Sequence, residues 1–134
     1  MIYMLDSNTC AFIMNERSGV VERLRKALPL GVCISSIILS ELEYGVRKSL
    51  AQERNRNKLN SLCALLSIFP YETAATAEYG IIRSELERRG QVIGPLDMLI
   101  AAHAKSLGLT LVTNNTGEFS RVAGLALEDW VIRE

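Results

Sequence analysis

Three carboxylates stand where structural and chemical explanations compete: Asp6, Glu41 and Asp97. Asp6 is the first residue after the apolar run Ile2 to Leu5, and open parallel sheets gather ligands at such strand ends. The Asp-Ser-Asn that begins there is also good chemistry for an Asx turn or a helix cap. Glu41 has Ile37, Ile38, Tyr44 and Gly45 three and four residues away, so its carboxylate projects from the apolar stripe of a helix. A carboxylate buried there needs a partner, which is either a bound cation or an Arg. Glu43, four residues before Arg47, has the spacing of an ordinary exposed ion pair. Asp97 follows Gly94-Pro95-Leu96 and precedes Met98-Leu99-Ile100-Ala101-Ala102, so it is expected to cap a helix with its carboxylate at the helix mouth.

Other catalytic chemistries lack their residues. The chain has one His, and His103 shares a helix face with Leu99, Ile100 and Leu107, which points to a buried, hydrogen-bonded imidazole rather than a base or a zinc ligand. No Ser-His-Asp set and no G-x-x-x-x-G-K phosphate loop is present. Cys10, Cys33 and Cys63 lie more than twenty residues apart without a C-x-x-C, which suits neither a disulfide framework nor a zinc site. They read as mostly buried thiols of a reducing cytoplasm. Carboxylates without His or Cys companions suit a hard cation, Mg²⁺ or Mn²⁺, held loosely with waters.

The elements that must position these acids can be read from periodicity. Ile2 to Leu5, Val32 to Ser35 and Leu109 to Thr113 are continuous apolar runs of strand type, with weaker candidates at Ser67 to Phe69 and near Asp129 to Ile132. Helical spacing marks Val20 to Leu28, Ile37 to Lys48, Thr73 to Arg89 and Asp97 to Leu107. Ser35 or Ser36 can cap the second of these helices, and Gly90 and Gly108 follow the last two as C-terminal stops. Ala51 to Lys58 is polar enough for an exposed connection, within a helical insertion between the second strand and the later ones. Buried strands alternating with helices predict an α/β sandwich around a mainly parallel twisted sheet.

Composition narrows the setting. A chain of 134 residues with 49% hydrophobic content predicts one domain, residues 1–134, with a substantial core. Fifteen Lys plus Arg balance fifteen Asp plus Glu, which excludes a polycation and requires any nucleic-acid partner to be held by a local basic patch. Met1 to Met14 is apolar but interrupted by Asp6 and has no preceding Lys or Arg, so it fails as a signal peptide. No run approaches the roughly 18 apolar residues of a membrane span.

Four motifs, in order, complete the reading: M-L-D-S-N at 4–8, S-S-I-I-L-S-E-L-E-Y-G at 35–45, G-P-L-D-M-L-I-A-A-H-A at 94–104 and T-N-N-T-G-E-F at 113–119. With E-D-W at 128–130, the chain resembles the VapC toxins of type II toxin-antitoxin systems, which are PIN-domain ribonucleases. The resemblance spans essentially the whole chain. It implies a PIN fold, an endoribonuclease using one or two Mg²⁺ or Mn²⁺ ions, a VapB-type antitoxin partner and a homodimer. It also implies that Asp6, Glu41 and Asp97 bind metal.

Two positions depart from the family pattern. Many PIN domains carry a fourth acid two residues after the Thr that ends the last central strand, where this chain has Asn115 after Thr113 and Asn114. An amide oxygen can still orient a metal water but brings no charge, and Glu118 is the nearest carboxylate that restores it. Ser7 stands where Thr is commoner and keeps the hydroxyl. Cations at the acids can activate water for in-line attack on a phosphodiester, leaving 3′-hydroxyl and 5′-phosphate ends.

RNA must be gripped away from the acids. Arg47, Lys48, Arg54, Arg56 and Lys58 against Glu53 form the best phosphate-contact stretch, with a solvated helix surface as the plain alternative. Arg83, Arg88 and Arg89 form a second cluster offset by Glu85 and Glu87. Four Tyr and one Trp give little sign of a stacking platform, which favours a folded RNA, initiator tRNA first, over a bare strand. Competing readings are a receiver domain, a PIN domain kept as an RNA- or protein-binding module, and a nuclease acting on DNA. The first lacks its adjacent acidic pair and its late Lys.

Overall fold

The computed structural model describes residues 1–131 of the chain. Five short strands build the sheet: β1 (Tyr3–Leu5), β2 (Val32–Ser35), β3 (Ser67–Phe69), β4 (Thr110–Val112) and β5 (Leu127–Glu128). They run in the order β3-β2-β1-β4-β5, and every pairing is parallel. The first strand therefore lies at the centre. The chain moves outward from it through β2 and β3, then returns to the other side for β4 and β5. Right-handed crossovers put the helices of these two directions on opposite faces, giving the expected α/β/α sandwich. The reversal falls between β1 and β4, the switch point at which such sheets open a crevice.

The connecting helices are α1 (Ser7–Met14), α2 (Val20–Ala27), α3 (Ser36–Lys48), α4 (Gln52–Leu65), α5 (Thr73–Arg88), α6 (Pro95–Ser106) and α7 (Thr116–Phe119). Ser35 caps α3 by accepting the Ile37 amide at 3.1 Å, and Gly90 and Gly108 take the left-handed conformation that ends α5 and α6. The core joins Met4, Leu5, Ile34, Ile38, Ile100 and Leu111 across the sheet faces. Ala101, Ala102 and Ala104 are fully buried, which lets α6 lie close on the sheet and fixes its first turn.

Several expectations are corrected. Ala51 to Lys58 is not a connection: its polar residues are the exposed first turns of α4, which buries only Leu59 and Leu62. The terminal strand is Leu127–Glu128 rather than Asp129 to Ile132, because Leu127 and Glu128 register with Leu111 and Val112; Ile132 lies outside the described residues. Glu43 does not bond Arg47. It holds the Arg56 guanidinium with two hydrogen bonds of 2.6 and 2.9 Å, tying α3 to α4, since a planar fork matches a carboxylate better than a single i,i+4 contact does. Helix α6 starts at Pro95 with Gly94 as its cap, so Asp97 lies in the first turn and is not the capping residue.

Candidate active site

The acids converge at the carboxyl ends of β1 and β4. Asp6 follows β1 directly and caps α1, its Oδ1 accepting the Thr9 amide at 2.8 Å. The Thr113 hydroxyl donates to the same carboxyl and accepts the Asn115 amide at 3.0 Å. The Asp6 amide in turn donates to the Val112 carbonyl, which also receives the Thr9 hydroxyl. Capping and site duty thus fall on one side chain. Despite these donors, burial pushes the Asp6 carboxyl up, and the charge of Asp129 adds to the effect.

Glu41 and Asp97 come from helices on two sides of the crevice. Glu41, half-buried on α3, is pushed up by desolvation and by the charge of Asp6. Among the described residues no Arg or Lys pairs with it, so the salt-bridge alternative is not realised. Asp97 is raised to about 6, first by burial and then by the charges of Glu118, Glu41 and Asp6, with a carboxyl–carboxyl hydrogen bond to Glu118.

Glu118 on α7 is held from two directions. The Gly94 amide donates to its Oε1 at 2.8 Å and the Asn115 side-chain amide donates to its Oε2 at 2.6 Å, which together lower its carboxyl. The Cβ position of Gly94 lies 3.6 Å from Asp97 Oδ2 and 3.8 Å from Glu118 Oε1, so this backbone runs directly beside both carboxyls. Asn115 therefore serves as a clamp of Glu118. Ser7 lines the cleft next to Glu41.

Sequence reading missed Thr9 and the position of Asp129. The signal for Thr9 was present, since Asp6 and Thr9 have the N-cap to N3 spacing. Asp129 follows the end of β5, and only the order of the strands brings that end near Asp6.

His103 is buried as expected. The neutral ring gives its one N–H to the Pro70 carbonyl, so Nδ1 accepts from the Ser35 hydroxyl at 2.8 Å while that hydroxyl accepts the Ile37 amide. Tyr71 packs edge-on against the ring. Cys10 and Cys33 are buried and Cys63 partly so, all as free thiols.

The five basic candidates do not form one patch. Lys48 lines the cleft of about 830 Å³ beside Glu41 and Ser7. Arg54 and Lys58 line a separate groove of about 580 Å³ formed with α1 and α2. Arg56 is committed to Glu43, while Arg47 is exposed. Among the described residues no helix is long and apolar enough to cross a membrane.

Oxygen donors alone define the chemistry of the acidic crevice. Among the described residues no three His, Cys, Asp or Glu side chains are close enough to ligate one ion by direct bonds. Carboxylate and amide oxygens of this kind suit a hard cation held through one or two carboxylates with waters.

An all-parallel sheet with acids from β1, α3, α6 and α7 gathered at its switch point is the architecture of a PIN-type domain. The PIN domain matches residues 3–125. The chain is 45% identical to the tRNA(fMet)-specific endonuclease VapC of Salmonella typhimurium over 131 residues, 96% of this chain and 97% of the relative. It superposes with a TM-score of 0.93 and 41% identity on VapBC2 from Rickettsia felis bound to a promoter DNA fragment, covering 98% of this chain and 100% of that one. With DNA-bound VapBC from Salmonella typhimurium the TM-score is 0.92 at 45% identity, covering 98% and 99%. The chain belongs to the VapC family of PIN-domain ribonucleases.

Proposed function

We propose that this chain is the toxin of a VapBC-type pair, a cytoplasmic Mg²⁺- or Mn²⁺-dependent endoribonuclease that cuts tRNA, with initiator tRNA the first substrate to test. The relatives named as tRNA(fMet)-specific endonucleases support the substrate, and the VapBC complexes support a VapB-type antitoxin as partner. The observation that carries the metal is the charge balance: Asp6, Glu41 and Asp97 repel one another, no Lys or Arg among the described residues forms a salt bridge with them, and Glu118, eased by Arg121, adds its own charge against Asp97.

In this reading Asp6, Glu41 and Asp97 hold the ion, with Glu118 completing the charge. The ion supplies an activated water and charge stabilisation for in-line attack on a phosphodiester. The chain's own residues prepare that chemistry. Thr113 and the Thr9 amide fix the Asp6 carboxyl, and Asn115 and the Gly94 amide fix Glu118, so the acids are aimed before anything binds. Asp97, with its carboxyl raised to about 6, would have to be ionised to hold a cation. Ser7 orients water or substrate at the mouth of the cleft. We read residues 1–134 as one domain and the working unit as a homodimer.

The test is incubation of the antitoxin-free protein with initiator tRNA and with a total tRNA pool in Mg²⁺ or Mn²⁺, beside EDTA and Asp97→Asn. Discrete cuts that vanish in both controls and carry 3′-hydroxyl and 5′-phosphate ends are expected. A 2′,3′-cyclic phosphate product overturns the mechanism, because it makes the 2′-hydroxyl the nucleophile.

A further inference from the structure

The cleft beside the acids contains more than metal chemistry requires. Glu41, Tyr44, Gly45 and Lys48 follow one another at i, i+3, i+4 and i+7 along α3, so they share one helix face, and all four line this cleft. Tyr44 is 65% exposed, an unusual setting for a large aromatic ring that could have packed inward. Lys48 Nζ lies 5.2 Å from the centre of that ring and, among the described residues, joins no ion pair. Gly45 adds no side chain, and a Cβ there would meet nothing within 4 Å, so the floor between ring and acid is open. Leu96 and Leu99 close the far wall.

We propose that this end of the cleft is a nucleotide subsite, in which an unpaired base beside the cut stacks on Tyr44 while Lys48 meets a neighbouring phosphate. Helix geometry sets the scale: seven residues at 1.5 Å separate Glu41 from Lys48 by roughly 10 Å, enough for about one nucleotide step beyond the scissile position. The order of the groups also fits. Carboxylates stand where a cation and the scissile phosphate belong, an aromatic face comes next, and an unpaired ammonium follows. An RNA strand offers the complementary series of phosphate, flat base and phosphate.

Stacking needs a base that is out of its helix, so the subsite selects loops and splayed nucleotides over duplex. A stacking platform was not expected from the aromatic content of the sequence. It becomes visible only when α3 sets Tyr44 in the cleft. The inference deepens the nuclease reading and rests on it.

The experiment uses the full chain in Mg²⁺ and a tRNA anticodon stem-loop carrying 2-aminopurine next to the cut site. Tyr44→Ala is expected to raise KM by on the order of tenfold, with kcat at saturation held within about twofold. It should also abolish the stacking quench of 2-aminopurine, and Tyr44→Phe should restore both. Lys48→Gln is expected to flatten the salt dependence of binding by about 0.7 in the log–log slope, the value for one lost phosphate contact on a single strand. Unchanged KM and unchanged quench in Tyr44→Ala overturn the subsite. So does a Tyr44→Ala chain whose RNA affinity holds while its dimer or its antitoxin complex dissociates, since the cleft is then a protein interface. If the unsubstituted chain neither binds nor cuts RNA, the nuclease reading itself falls, a result seen before any substitution is made.

Discussion

Asp97→Asn is expected to make the protein inactive and, without metal, more stable. The folded chain raises the Asp97 carboxyl from 3.8 to about 6, first through burial and then through the charges of Glu118, Glu41 and Asp6. At 1.36 kcal/mol per unit, a shift of about two units costs the ionised form at most ~3 kcal/mol. Solvent reaches this half-buried group and the proton is shared with Glu118, which reduces the cost to about 1–2 kcal/mol. Asn has nearly the same shape, and its amide can donate to Glu118 as the protonated carboxyl does.

The pH dependence has a definite sign. Below about pH 4 the acid is protonated both folded and unfolded, and Asp and Asn differ little. Between about 4 and 6 the unfolded chain releases a proton that the folded chain keeps, so wild-type stability falls as pH rises. Above about 6 the full difference persists. Urea unfolding followed by circular dichroism in EDTA, at about pH 4.5 and pH 7.5, should show the variant ahead by about 1–2 kcal/mol at the higher pH and by less at the lower. Added Mg²⁺ should recover wild-type stability more than that of the variant. A variant less stable than wild type at pH 7.5 in EDTA, or a gap that does not narrow at low pH, refutes the reasoning.

Other expectations are simpler to check. Ser35→Ala removes the α3 cap and leaves His103 Nδ1 without its donor, so chemical denaturation should show a loss of about 2–3 kcal/mol. Gly31→Ala forces a Cβ to 2.8 Å from the Met1 Cα at a φ of +96°, and a lower melting temperature, with a loss of roughly 1–3 kcal/mol, is the expected readout. Arg54→Gln should weaken RNA binding and its salt dependence, while Arg56→Gln should leave the salt slope unchanged because that guanidinium already holds Glu43; equal effects in a binding titration would contradict this assignment.

The parts of the fold that were legible in the sequence are those where pattern and burial agree. β1, β2 and β4 are buried on both faces and read as unbroken apolar runs, and α3 and α5 declare themselves through Ser35, Gly90 and their apolar stripes. Helix α1 was not read as a helix, because Ala11, Phe12 and Ile13 leave it little polar face. Helix α4 was expected only as an unbounded helical insertion for the opposite reason, since Gln52 to Lys58 carries no apolar period to mark its start. The acids of the site were legible because each sits beside apolar residues that do not explain it. What holds them was not: Thr113 on Asp6 and the Gly94 amide on Glu118 are contacts set by tertiary approach.

The central place of β1 has a consequence for how the protein comes into being. Tyr3 registers with Val32 on one side and with Thr110 on the other, so the first strand made waits for a partner more than one hundred residues later. Asp6 leaves the ribosome early, yet Thr113, which steadies it, and Glu118, which faces Asp97, are translated near the end. A nascent chain therefore carries the acids as separate, unassembled groups. The cutting centre closes only when β4 slides in beside β1, more than one hundred residues of synthesis after β1 itself is made.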